Sequence, residues 1–193
     1  MASGIKLIAG LGNPGSRYVD TRHNAGFWFV EELANRYHGD WREEKRFKSR
    51  ICEINVGGQR LWLIAPQDFM NRSGVSIASF ANYYRIDVDQ ILVAHDELDL
   101  LPGRVKLKQG GGAAGHNGLR DTSLHLASPD YLRLRLGIGH PGKQNAVVNF
   151  VLKRPPEAEM TLIQSAIDHS ADHIEDILSG DLQAAMNALH THS

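Results

Sequence analysis

Apolar positions fall in short runs whose spacing alternates between the period of a strand and that of a helix. Residues 5–9 form a compact apolar run that predicts a buried strand, and residues 26–37 repeat at helical spacing up to a closing Gly39. Residues 50–56 and 60–65 alternate on either side of Gly57-Gly58, a hairpin signal. A helix is predicted over 73–84 and a strand over 91–94. Residues 104–108 and 131–138 predict further strands, with a glycine-rich loop and a helix over 117–126 between them. A short helix over 145–152 is ended by Pro155-Pro156, and helices over 157–178 and 181–190 follow. Strands interleaved with helices, one hairpin among them, predict an α/β fold: a single domain with a mixed sheet covered by helices on both faces.

Composition narrows this only a little. At 193 residues and 42% hydrophobic content the chain can bury a substantial core. No apolar stretch approaches the ~20 residues that span a bilayer, and Lys6 precedes an apolar run too short for a signal peptide. Cys52 is the only cysteine, which excludes an internal disulfide framework and a Cys-rich zinc site and points to the cytoplasm. The net charge of −1 hides an asymmetry. Arg104, Lys106, Lys108, Arg120, Arg133 and Arg135 face only Asp121 and Asp130 between residues 101 and 140, whereas from Pro155 onward there are seven acids and no Lys or Arg. A second basic run (Arg42, Lys45, Arg46, Lys48, Arg50) is diluted by Glu43 and Glu44. Solvated surface and a polyanion track fit these runs equally well.

Candidate chemistry lies in glycine- and asparagine-containing segments: GLGNPG (10–15), TRHNAG (21–26), FMNRSG (69–74) and GHNG (115–118), with carboxylates added by AHDELD (94–99). The first matches G-x-G-x-x-G, but Pro14-Gly15 reads as a turn and the next helix starts about ten residues on, so a dinucleotide site is not expected. His23 sits in a polar loop before a helix, and an imidazole pKa of ~6.5 suits a general base near neutral pH. Asp96 is the natural carboxylate to hold its tautomer, delivered by the strand over 91–94 to the edge that bears Asn13; Glu97 and Asp99 compete for the role. His95 should point to the opposite side of that strand. There is no G-x-S-x-G elbow, and Cys52 reads as a strand core residue. A metal held by His23, His95, Asp96 and His116 is conceivable but lacks close ligand spacing. A base, a carboxylate and three neutral amides (Asn13, Asn71, Asn117) suit direct attack of water on an activated carbonyl such as an ester, with amide donors for the oxyanion.

GLGNPG, TRHNAG, FMNRSG, ILVAHDELD, GGGAAGHNGLRD and RLRLGIGHPG occur in the order seen in bacterial peptidyl-tRNA hydrolases, and the chain resembles that family from about Ile5 into the C-terminal helices. The resemblance implies a monomeric, cofactor-free α/β enzyme with a mixed twisted sheet, and no metal site is expected. It implies hydrolysis of the ester between a peptide and the 3′ ribose of tRNA. Carried over by motif, His23 is the base and Asp96 its carboxylate. Asn13, Asn71 and Asn117 are active-site amides, and Tyr18, Asn24, Phe69, Met70 and His116 line the substrate cleft. Lys108 and Arg135 match a pair that grips the tRNA 5′ phosphate. The chain departs from the family pattern at Phe69, where tyrosine is usual, and at Ala113 and Ala114, which replace His-Gly in the glycine-rich loop. Two other classes stay open: an RNA-binding module without activity, and a metallohydrolase that EDTA would inhibit.

Overall fold

A computed structural model describes residues 4–190. Among these residues seven strands form one mixed sheet: β1 (Leu7–Gly10), β2 (Arg42–Glu44), β3 (Ser49–Val56), β4 (Gln59–Pro66), β5 (Ile91–Glu97), β6 (Val105–Gln109) and β7 (Leu132–Gly137). Their spatial order is β2-β3-β4-β1-β5-β7-β6. β1 lies parallel between β4 and β5, and β5 is parallel to β7, while the β2-β3, β3-β4 and β6-β7 pairs are antiparallel. The expected hairpin is β3-β4, turning through Gly57 and Gly58, both at positive φ.

Both sheet faces are covered, which explains why the central strands read as unbroken apolar runs. Alternation sends Ile8 to one core, with Phe29, Leu33, Leu63, Leu134 and Ile167, and Leu7 and Ala9 to another, with Ile64, Ile77, Phe80 and Tyr131. The first face carries α1 (Ala25–Arg36), α5 (Glu157–Asp172), α6 (Ile174–Leu178) and α7 (Leu182–His190). The second carries α2 (Ser73–Tyr83) and α3 (Asn117–Leu126), and α4 (Val147–Val151) packs beside the first.

Two elements differ from the sequence reading. β2 was not foreseen: Arg42-Glu43-Glu44 has no apolar alternation, and only its pairing with Ser49, Arg50 and Ile51 makes it a strand. The helix expected over 157–178 breaks at His173, between α5 and α6. The apolar positions Ile163, Ala166, Ile167, Ala171, Ile174, Ile177 and Leu178 run through the break and enter the same core, so periodicity carries no sign of it.

Glycine fixes how closely α1 approaches the sheet. A Cβ on Gly10 would stand 2.3 Å from the Gly26 carbonyl oxygen, and one on Gly26 would stand 2.3 Å from that of Ala94. The first glycine of GLGNPG and the last of TRHNAG are therefore a packing pair that seats α1 over β1 and β5. That contact places the segment just before α1, which carries His23, above the carboxyl end of β5.

Candidate active site

Three strands deliver the site to one edge of the sheet: β1 leads into the loop with Asn13, β4 into the segment Phe69–Asn71, and β5 ends with Asp96 and Glu97. His23 lies in a 3-10 turn (Arg22–Asn24) before α1. Asn13 and Asn24 lock these loops together. The Asn24 amide accepts from the Asn13 backbone N–H at 2.8 Å and donates to the Asn13 carbonyl at 2.9 Å. The Asn13 side-chain oxygen accepts from the Met70 N–H at 2.7 Å. That bond fixes the orientation of the Asn13 amide, so its NH₂ group is the end left for the cleft.

Asp96 is buried and joins two histidines. One carboxylate oxygen lies 2.8 Å from Nδ1 of His23, and the other 2.8 Å from Nε2 of His116. Burial works against its charge, but His23 and His116 overcome that and hold the carboxyl far below the usual carboxylate range. An ionised carboxylate only accepts, so both histidines donate to it. Nδ1 of His23 carries the proton and Nε2 keeps its lone pair. Burial pulls the His23 pKa down, yet attraction and the hydrogen bond from Asp96 outweigh it, and the net shift is upward from 6.5.

The tautomer of His116 is fixed from its other side. It caps the N-terminus of α3, where Nδ1 accepts the amide protons of Gly118 at 3.1 Å and Leu119 at 3.3 Å. Its only proton is therefore on Nε2 and is given to Asp96, which leaves no nitrogen free to act as a base. The same bonds oppose a metal. Donor atoms of His23, Asp96 and His116 lie within 4.8 Å of one another, close enough for one cation. A metal-bound histidine donates its remaining N–H to an acceptor, whereas Nδ1 of His116 receives two.

Of the other candidate acids, Glu97 is committed elsewhere, pairing with Arg135 at 2.8 Å and accepting from the Asp99 backbone N–H, while Asp99 is exposed. His95 lies deep in the wall of the cleft, with Nδ1 2.8 Å from the Asp96 carbonyl and Nε2 without a partner. Burial first, then the neighbouring His116, lowers its pKa to about 4, so it is neutral at physiological pH.

The cleft measures about 620 Å³ and is lined by Asn13, His23, Phe69, Met70, Asn71, Asp96, His116 and Asn117, with an apolar wall of Leu98, Val147, Val148, Val151 and Leu152. Lys108, Arg133 and Arg135 also reach it. Two expected lining residues do not. Tyr18 stands edge-on to Phe69 with ring centroids 6.3 Å apart, and Asn24 is spent on the Asn13 clamp beneath the cleft. Register pairs Lys106 with Arg135 and Lys108 with Arg133, so the basic run gathers on β6 and β7. Lys108 is exposed, whereas Arg135 is already bonded to Glu97.

One buried cation that braces the site has no counterpart in the sequence reading. Arg22 is buried, donates to the Phe150 carbonyl at 2.9 Å and stacks 3.9 Å from the Phe150 ring centroid, tying α4 to the turn that carries His23. Its neighbours in TRHNAG were the only available signal.

Ala114 adopts φ 47° in the loop before α3, the left-handed region its methyl group disfavours. Ala114→Gly should relieve about 1–2 kcal/mol of that strain and lose about 0.4–1 kcal/mol to a freer unfolded chain. Urea unfolding should therefore show anything from no change to a net gain of about 1.6 kcal/mol. A clear loss would mean that the Ala114 methyl makes stabilising contacts.

The profile of the peptidyl-tRNA hydrolase family matches residues 7–193. The peptidyl-tRNA hydrolase of Halorhodospira halophila is 50% identical over 186 residues, covering 96% of each chain. That of Pectobacterium carotovorum is 52% identical over 189 residues, covering 97% of each. A crystal structure of the Acinetobacter baumannii peptidyl-tRNA hydrolase superposes with a TM-score of 0.97 at 45% identity, over 100% of this chain and 98% of that one.

Proposed function

Because the chain belongs to the peptidyl-tRNA hydrolase family, we propose that it hydrolyses the ester between a peptide and the 3′ ribose of tRNA, releasing the peptide and free tRNA. The observation that carries the chemistry is the His23–Asp96 pair, which leaves one imidazole lone pair facing an amide-lined cleft. Nε2 of His23 takes a proton from water as the water oxygen bonds to the ester carbon. Asp96 steadies the imidazolium that forms. Side-chain amides donate to the oxyanion: Asn13 through its oriented NH₂ group, and Asn71 and Asn117 from the cleft wall. The tetrahedral intermediate collapses, the 3′ oxygen of the ribose leaves, and it recovers the proton from His23. This route needs no covalent enzyme intermediate and no cofactor.

The apolar wall suits side chains of the departing peptide, while the cations of β6 and β7 suit RNA phosphate. Lys108 and Arg135 are our candidates for the 5′ phosphate of tRNA, and the enzyme is taken to act as a cytoplasmic monomer of one domain. No helix among the described residues is long and apolar enough to cross a membrane.

The direct test is purified protein with an N-acylated aminoacyl-tRNA, scored by release of free tRNA with and without EDTA. Failure to release it would leave the RNA-binding class, and loss with EDTA the metallohydrolase. Lys108 supplies the cleaner test of the RNA grip, because Arg135→Ala would also strip Glu97 of its partner. Lys108→Ala should raise KM for full peptidyl-tRNA several-fold and flatten the log–log salt dependence of binding by about one. An N-acylated aminoacyl ester of adenosine has no 5′ phosphate, and its slow hydrolysis should not change. Equal losses on both substrates would remove Lys108 from the phosphate site.

A further inference from the structure

One member of the basic run is turned inward. Arg133 is 2% exposed, and its guanidinium sits 4.6 Å from the Tyr131 ring centroid. Nη1 donates to the Gly112 carbonyl at 2.5 Å, and Nη2 to the carbonyls of Gly111 at 2.6 Å and Pro129 at 3.2 Å. Two of these three acceptors belong to the loop 110–115, which contains Gly110, Gly111, Gly112 and Gly115. Gly110, Gly111, Ala114 and Gly115 all have positive φ, so ordering this loop costs conformational entropy at most of its positions. Its end leads into the catalytic carboxylate: the Ala113 carbonyl accepts from the His116 N–H at 2.8 Å, and His116 holds Asp96.

We propose that Arg133 is a positioning residue for hydrolysis, whose planar fork clamps the Gly111 and Gly112 carbonyls and so holds the loop that seats His116 against Asp96. This role in catalysis rests on the hydrolase reading above. A buried guanidinium requires acceptors on its N–H groups, and the loop carbonyls require donors where no strand supplies them. Nη1 and Nη2 meet that need through these carbonyls, while Nε stays buried without a partner among the described residues. The fork is already taken up by backbone carbonyls, so a phosphate would find this cation occupied, in contrast to the exposed Lys108, its register partner on β6.

The test compares Arg133→Gln and Arg133→Lys with wild type and Lys108→Ala. Arg133→Lys keeps the buried charge but not the fork, and serves if the neutral variant does not fold. In substrate-free protein, amides of residues 111–115 should exchange hydrogen at least about tenfold faster in both Arg133 variants, with β5 and β7 protection unchanged. kcat should fall by about tenfold or more on full peptidyl-tRNA and on the adenosine ester alike, with the salt slope of tRNA binding unaltered. In a third variant, Arg133→Ala, millimolar guanidinium should restore part of the lost activity. Unchanged loop exchange would overturn the clamp. A loss confined to the full substrate with a flatter salt slope would make Arg133 a phosphate contact instead. Wild-type protein inactive on every acylated RNA would defeat the hydrolase reading, and the exchange measurement would still decide whether Arg133 holds the loop.

Discussion

His23→Ala is expected to lower kcat by about 10²–10⁴-fold with little change in tRNA affinity or in urea stability at pH 8. The loss follows from the proton inventory. Of the two other histidines in the cleft wall near Asp96, neither has an unprotonated nitrogen that is both unbonded and open to the cleft, which leaves His23. His116 spends both ring nitrogens, and His95 has its second nitrogen buried. No neighbour can replace the base, so the residual rate should come from the amides and from substrate positioning. A rate within a few-fold of wild type would remove His23 from the mechanism. In wild type kcat/KM should rise with pH as His23 deprotonates and level off above its folded pKa, which is raised from 6.5. Stability runs the other way. A raised histidine pKa gives stabilisation that is complete below about 6.5, the unfolded value, and lost as pH rises through the folded value. The acid-stabilised form is thus the inactive one.

Much of this is legible in the sequence. The strands and helices follow from periods in the apolar positions, and the glycines of GLGNPG and TRHNAG mark close approaches that no larger residue could make. Asp96 could be chosen because a strand over 91–94 had to deliver it beside Asn13, and it does. Partnership was less visible. Asn24, Asn13 and His23 look alike as polar loop residues, and only their hydrogen bonds separate a clamp from a base. His116 reads as a cleft residue until its place at the start of α3 shows that the backbone dictates its tautomer. Arg22, Arg133 and Lys108 are equivalent in a count of charge. Burial of the first two, against exposure of the third, comes from long-range packing of β7, α4 and the loops around them. Sequence spacing carries no trace of that distinction.

Asp96→Asn should be as damaging as loss of the base, about 10²–10⁴-fold in kcat, and the reason lies in His116. Its Nδ1 is occupied by two amide protons, so its Nε2 must donate. An asparagine at 96 therefore turns its oxygen toward His116 and its NH₂ toward His23. The His23 nitrogen that faces it must then accept, which drives the imidazole proton onto Nε2, the atom that should take a proton from water. The change of one oxygen to nitrogen would invert the tautomer of the base while leaving the packing almost untouched. Asp96→Ala offers no such donor and leaves either tautomer open, so it should be slower than wild type but faster than Asp96→Asn, although it removes more atoms. The ordering wild type, then Ala, then Asn is the diagnostic result. Loss of the carboxylate also leaves burial unopposed, so the acid limb of kcat/KM in the Asp96→Ala enzyme should move to lower pH than in wild type. If Asp96→Asn proved the faster of the two variants, tautomer control by His116 would be wrong, and Asp96 would act on His23 through its charge alone.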